Sequence, residues 1–168
     1  DQILSARNLR VLFPAKGGKS VHAVDGVSLS LKAGETLGIV GESGCGKSTL
    51  ARAVMSLQPL TSGQLIWRGV SLHALGRREL HDRRREFQMI FQDPLASLDP
   101  RMNIADIVTE PLRALRKNLR PDEMREAAAQ MVRRVGLDVS ALDRYPHEFS
   151  GGQCQRISIA RALVVEPK

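Results

Sequence analysis

Thr36-Leu37-Gly38-Ile39-Val40-Gly41-Glu42-Ser43-Gly44-Cys45-Gly46-Lys47-Ser48-Thr49-Leu50 decides how the rest of the chain is read. Residues 36–40 form an apolar run of the kind that a strand buried on both faces shows. Gly41 to Ser48 follow directly and match Gly-x-x-x-x-Gly-Lys-Ser/Thr. In that pattern glycines let successive backbone N–H groups turn onto a phosphate, and the lysine reaches the terminal phosphates. Leu50, Val54 and Leu57 then keep a helical spacing until Gln58-Pro59 stops it. Strand, loop and helix in this order are the context the motif requires, so the stretch implies an ATP or GTP site in an α/β fold.

A second glycine motif, Ser150-Gly151-Gly152-Gln153, reads as the start of another helix. A serine able to cap, followed by two glycines, leaves N–H groups and the positive end of the helix dipole facing an anion. Ile157, Ala160, Leu163 and Val164 give this helix a buried stripe. The chain therefore offers two anion sites.

The 168 residues are one domain's worth, and 42% hydrophobic content is ordinary for a globular core. No apolar stretch approaches a membrane span, and Asp1-Gln2-Ile3-Leu4 has neither the basic start nor the apolar run of a signal peptide, so a soluble, cytosolic segment is expected. Cys45 and Cys154 lack metal-ligand spacing and read as reduced thiols. The net charge is +7, concentrated locally at Arg77, Arg78, Arg83, Arg84 and Arg85. Glu79, Asp82 and Glu86 interleave with these arginines, and only 4% of residues are aromatic, so this stretch reads as a solvated helix face and no nucleic acid is expected.

Around the loop, Ile3 to Leu12 and the loosely alternating Val21 to Leu31 read as strands, and Gly63 to Gly69 encloses another. Phe87 to Phe91 is a second candidate for a buried strand, ending at Gln92-Asp93-Pro94. From Ile104 to Leu163 helices dominate. Pro111 and Pro121 are expected to interrupt them, with Asp122 and Glu123 opening a helix at Pro121. Ala127, Met131, Val132 and Val135 give that helix its apolar face, and Gly136 closes it.

The phosphate loop, Gln92 at a strand end and Phe149-Ser150-Gly151-Gly152-Gln153 occur in the order found in ATP-binding-cassette ATPases, which the chain resembles over nearly its whole length. Phe91 to Arg101 and Arg144 to Phe149 resemble the ATP-binding subunits of bacterial dipeptide and oligopeptide importers, and nickel importers of that group are similar. The resemblance implies a P-loop NTPase with an N-terminal antiparallel β subdomain (1–34 plus 63–69), a nucleotide-binding core with a partial parallel sheet (35–58 and 86–92) and a helical subdomain carrying the signature motif (97–164). Residues 1–168 would make up a single, incomplete domain.

The resemblance also implies roles. Gly41, Glu42, Ser43, Gly44, Cys45, Gly46, Lys47, Ser48 and Thr49 would cradle ATP. Lys47 would contact the β- and γ-phosphates, Ser48 and Gln92 would serve Mg²⁺, and Phe13 would stack on adenine or simply pack. Ser150, Gly151, Gly152 and Gln153 would close on the nucleotide of a second ATPase subunit in a head-to-tail dimer. Further implied partners are membrane permease subunits and, indirectly, a periplasmic substrate-binding protein. The subunit would be peripheral on the cytoplasmic face of the bacterial inner membrane, energising peptide import.

Two departures from the family pattern carry expectations. Cys154 stands where a basic residue is common, and in a head-to-tail dimer it would approach the partner loop bearing Cys45. Val164-Val165-Glu166-Pro167-Lys168 ends where the family continues into an apolar strand with adjacent acids. No residue in the sequence therefore fills the catalytic-base role, and 1–168 alone is expected to hydrolyse ATP negligibly, with apolar surface left near 36–40. The alternatives in play are a nickel importer ATPase and a soluble cassette ATPase acting on nucleic acid or ribosomes.

Overall fold

A computed structural model of the chain describes residues 1–115 and 118–168; residues 116 and 117 of the expected helical stretch 97–164 lie outside it. The chain divides into two compact units, Asp1–Leu80 and His81–Lys168.

The first unit is built on a four-stranded antiparallel sheet in the order β2-β1-β3-β4, with β1 at Gln2–Pro14, β2 at Ser20–Lys32, β3 at Ser62–Trp67 and β4 at Val70–Ser71. Leu4, Ala6, Leu9, Val11, Val24, Leu65 and Trp67 supply its buried side, together with Leu50 and Ala53 of helix α1 (Lys47–Val54). The alternation is imperfect because β1 is bulged. Its register against β2 shifts between Ala6 and Leu9, and Asn8 sits there at φ 49°, its N–H donating to the Ser28 hydroxyl at 2.9 Å. Strand β3 passes so close to this bulge that a Cβ on Gly63 would lie 2.5 Å from the Asn8 carbonyl oxygen, so only glycine fits there.

Neither expected core strand forms a ladder. Residues 36–40 and 87–91 have no strand assignment, and among the described residues the antiparallel sheet is the one that forms. The side chains show the consequence: Val40 is 94% exposed, and Leu37, Ile39, Ile90 and Phe91 are also exposed. An apolar run becomes a central strand only when a neighbour pairs with its N–H and C=O groups, and no described segment does so here. The partial parallel sheet read from the sequence is thus present as apolar sequence and absent as paired structure. The α/β class itself stands.

The second unit is helical: α3 (Ile104–Leu115), α4 (Pro121–Arg134) and α5 (Gly151–Leu163) pack around Ile104, Ile107, Val108, Leu112, Val132, Leu142 and Ile157. The arginine-rich helix α2 (Arg77–Arg83) precedes them, and Arg83 pairs with Glu86 at 3.0 Å. Pro121 occupies the first turn of α4, and Gly136 just beyond its end has φ 76°, as expected of a start and a stop. Pro111 does not interrupt anything. It lies inside α3, because Ile107, Val108 and Leu112 on either side of it are all buried in the core and hold the helix through the missing hydrogen bond. The buried face of α4 is Ala128, Ala129 and Val132, while Ala127, Met131 and Val135 are only partly buried, a rotation of about one residue from the expected stripe.

Candidate functional site

The phosphate loop connects the exposed run at 36–40 to the first turn of α1. Gly46 caps that helix at φ 97°, and a Cβ there would stand 2.0 Å from the Ala23 carbonyl oxygen of β2. The loop is therefore seated on the sheet through a glycine. A Cβ on Gly41 would meet the Cys45 Sγ at 2.7 Å, so both ends of the motif are tight while Gly44, at φ 81°, stands in open space. The Lys47 ammonium curls back over the loop and donates to the carbonyls of Gly41 at 2.7 Å and Glu42 at 2.6 Å. This fixes the loop as a ring around a cation, with Ser43, Gly44 and Cys45 exposed on its rim. The Lys47 charge and the N-terminus of α1 both favour a phosphate here, for which the ammonium would exchange its two carbonyl partners.

Ser48 is exposed and Thr49 half-buried in the first turn of α1. Mg²⁺ takes one or two protein oxygens and completes its shell with phosphate and water. The Ser48 hydroxyl beside Lys47 fits that donor set. Among the described residues no three His, Cys, Asp or Glu gather into a metal-holding group. Phe13 is 37% exposed near the end of β1 and pairs with Val21 of β2. Val21 precedes Ala23 by two residues, about 7 Å along the strand, which puts Phe13 at the part of the sheet on which Gly46 rests.

The second unit holds Gln92 and the other glycine motif. Gln92 is exposed and lies outside any helix or strand, just before a turn in which the Ala96 N–H donates to Asp93 Oδ1 at 3.1 Å. Ser150 caps α5 as expected: its hydroxyl accepts from the Gln153 N–H at 3.3 Å, and Gln153 Oε1 accepts from the Ser150 N–H at 2.9 Å. This capping box leaves the N–H groups of Gly151 and Gly152 outside it, and a Cβ at either glycine would meet nothing within 4 Å. The open end of the helix is thus two bare glycine amides with the dipole behind them.

The turn before the motif is also organised. The Tyr145 N–H donates to the Glu148 carboxylate at 2.7 Å and holds it below the usual carboxylate range. The Arg144 guanidinium stacks on Phe149 at 4.5 Å, and the Tyr145 and His147 rings stack on each other. The sequence marks Arg144 to Phe149 by resemblance, but it does not show these contacts among its aromatic and charged residues.

Cys154 does not reach outward. It is fully buried, its thiol donating to the Pro146 carbonyl at 3.6 Å, and burial pushes its pKa up. A small thiol fits beneath the capping turn where a longer basic side chain would have to emerge, so the expected approach of Cys154 to a partner's Cys45 is withdrawn. Cys45 is exposed.

The ABC transporter family matches residues 24–168, a span that takes in the phosphate loop, Gln92 and the capped glycine helix. The chain belongs to this family. It is 50% identical to the oligopeptide transport ATP-binding protein OppF of Haemophilus influenzae, over 100% of the chain and 53% of that protein. It is 51% identical to OppF of Escherichia coli, covering 99% and 52%, and 47% identical to the di/tripeptide transport ATP-binding protein DppF of Pseudomonas aeruginosa, covering 100% and 53%. The chain thus spans about half the length of the curated relatives it matches. Among solved structures, the dimeric post-hydrolysis ATP-binding cassette MJ0796 bound to ADP and Pi superposes with a TM-score of 0.87 at 29% identity, covering 98% of this chain and 71% of that one. The cbiO1 cassette of Clostridium perfringens, part of the cbiONQ transporter complex, does so with 0.78.

Proposed function

We propose that the protein carrying this chain binds and hydrolyses Mg²⁺-ATP and uses the energy to import peptides. The observation that carries the reading is the ring of Gly41 to Ser48 closed by Lys47 in one unit, together with the bare-amide helix end at Gly151 and Gly152 in the other. In this reading Gly41, Glu42, Ser43, Gly44, Cys45, Gly46, Lys47, Ser48 and Thr49 hold the nucleotide, and Phe13 supports adenine through its exposed ring. Lys47 neutralises the β- and γ-phosphates, and Ser48 and Gln92 would hold Mg²⁺, which when bound would supply charge screening for the transferring phosphoryl group.

Ser150, Gly151, Gly152 and Gln153 then cover the nucleotide of a second ATPase subunit, so ATP joins two incomplete sites and its hydrolysis releases them. The dimeric state described for MJ0796 supports this arrangement. Relatives named for oligopeptide and di/tripeptide transport support peptides over nickel as cargo. The protein would act on the cytoplasmic side of the membrane against permease subunits, the 92–101 segment forming the contact; among the described residues no helix is long and apolar enough to cross a membrane.

The test is made on the full-length protein and its Lys47→Ala variant. Titration with a fluorescent ATP analogue, phosphate release with permease subunits present, and uptake of a labelled tripeptide against labelled nickel should show tight binding, peptide uptake and loss of both in the variant. Unchanged nucleotide binding by Lys47→Ala would overturn the site, and nickel-only uptake would overturn the cargo.

A further inference from the structure

The turn that follows Gln92 is tied to the glycine-motif helix through one residue. The Ser97 carbonyl accepts from the Arg161 guanidinium at 2.6 Å, and the Ser97 hydroxyl lies 3.2 Å from that of Ser158. The single Ser97 hydroxyl proton is engaged by the Pro94 carbonyl at 2.9 Å, so Ser158 is the donor in the hydroxyl pair. Residues 158 and 161 stand three apart on α5 and share a face, so both grip Ser97 from one side. Ser158 is 2% exposed, where an unpaired hydroxyl is costly, and Leu98 beside the anchor is buried in the helical core. Arg161 is partly buried, which disfavours its charge, while nearby Glu110 favours it.

Residues 93–98 therefore make a short closed turn, bonded within itself at Asp93–Ala96, Pro94–Ser97 and Leu95–Leu98; its side-chain ties to α5 run through Ser97, and Leu98 is buried in the helical core beside them. Gln92 is the residue immediately before it. We infer that Ser158 and Arg161 are positioning residues: through Ser97 they lock the turn after Gln92 to the helix that begins at Ser150, so that displacing either end carries the other. The inference rests on the proposed roles of Gln92 and Ser150 only for its use in the ATP cycle; the lock itself stands on the bonds above.

Hydrogen exchange on the full-length protein tests it, comparing wild type with the Ser158→Ala/Arg161→Gln double variant. The amides of 93–98 should exchange about tenfold faster in the variant, relative to those of α4, as expected when a charge-assisted bond and a hydroxyl bond are lost together. On adding Mg²⁺-ATP, the protection of 93–98 and of 151–157 should change together in the wild type. In the variant 151–157 should change alone, and Ser158→Thr/Arg161→Lys should restore the joint response. General loosening would raise exchange in α4 as well and leave the joint response intact; either result overturns the inference. If the double variant does not fold, Ser158→Ala alone carries the same comparison. Binding of a fluorescent ATP analogue by the wild type judges the function reading separately, and the nucleotide-free exchange difference judges the lock whichever way that falls.

Discussion

Replacing Gly46 by alanine, with Gly44→Ala as the control, separates the steric from the conformational demands on the phosphate loop. Both residues are left-handed, Gly46 at φ 97° and Gly44 at φ 81°, so each alanine carries a backbone penalty of about 1–2 kcal/mol. At Gly44 nothing lies within 4 Å of the new Cβ, and the penalty ends there. At Gly46 the Cβ falls 2.0 Å from the Ala23 carbonyl oxygen, so the two must part by roughly 1 Å to reach even a tight contact. Ala23 is the unpaired residue at a register shift of β2, but His22 and Val24 on either side of it are paired with β1 and pin it, so the exposed loop gives way first. A displacement on the order of 1 Å in a positioning group costs about 10²-fold, or roughly 2.7 kcal/mol in binding. Titration of each full-length variant with a fluorescent ATP analogue, alongside urea unfolding, reads both quantities. Gly44→Ala should lose stability and keep most of its affinity, and Gly46→Ala should lose both. Affinities for the two variants within about threefold of each other would refute the reasoning, because the close approach to Ala23 would then not be what seats the loop.

The other expectations are simpler to check. A maleimide should label exposed Cys45 quickly and buried Cys154 only on unfolding, and ATP should protect Cys45; mass spectrometry of labelled peptides reads this directly. Asp99 is held at a pKa of about 2, first by the Arg101 side-chain hydrogen bond and then by the Arg101 backbone N–H. Its folded value lies below the unfolded one, so its contribution to stability is full above about pH 4 and disappears as the pH falls through about 2, and Arg101→Ala should move the carboxyl resonance midpoint back toward 4 in an NMR titration. Ile157→Ala, at a fully buried site in the helical core, should cost about 2–5 kcal/mol in urea unfolding. Ser150→Ala removes the hydroxyl that accepts from Gln153 and should cost about 1 kcal/mol in the same assay.

Local chemistry was the legible part of the sequence. The phosphate loop, the Pro121 start and Gly136 stop of α4, and the Ser150 cap are each decided by residues within a few positions of one another, and each appears where its residue types place it. What depended on distant partners was not legible. Pro111 looked like a break because the sequence does not show that Ile107, Val108 and Leu112 are all gripped by the core. The bulge at Asn8 and the close pass of Gly63 are one event seen from two strands far apart in sequence, and neither glycine nor asparagine announces the other. Cys154 was placed at a surface by comparison of residue types at a motif, whereas its burial follows from the Pro146 turn folding over the helix start.

The same distinction explains why 36–40 and 87–91 read as strands and do not pair. Apolar content favours burial without securing it, as exposed Val40 shows; pairing requires the N–H and C=O groups of a neighbour, which composition does not specify. The phosphate loop does not wait on that pairing. Its seat is the Gly46–Ala23 approach to the antiparallel sheet, and its closure is Lys47 on two carbonyls of its own loop, both within Asp1–Leu80. The glycine-motif helix is likewise complete within its own unit, because the capping box uses only Ser150 and Gln153 and leaves the Gly151 and Gly152 amides outside it. Each of the two helix ends proposed to bind an anion is thus prepared by bonds to its own neighbours. In the proposed reading their joint use depends on a second subunit, so variants that alter one end should leave the local geometry of the other unchanged.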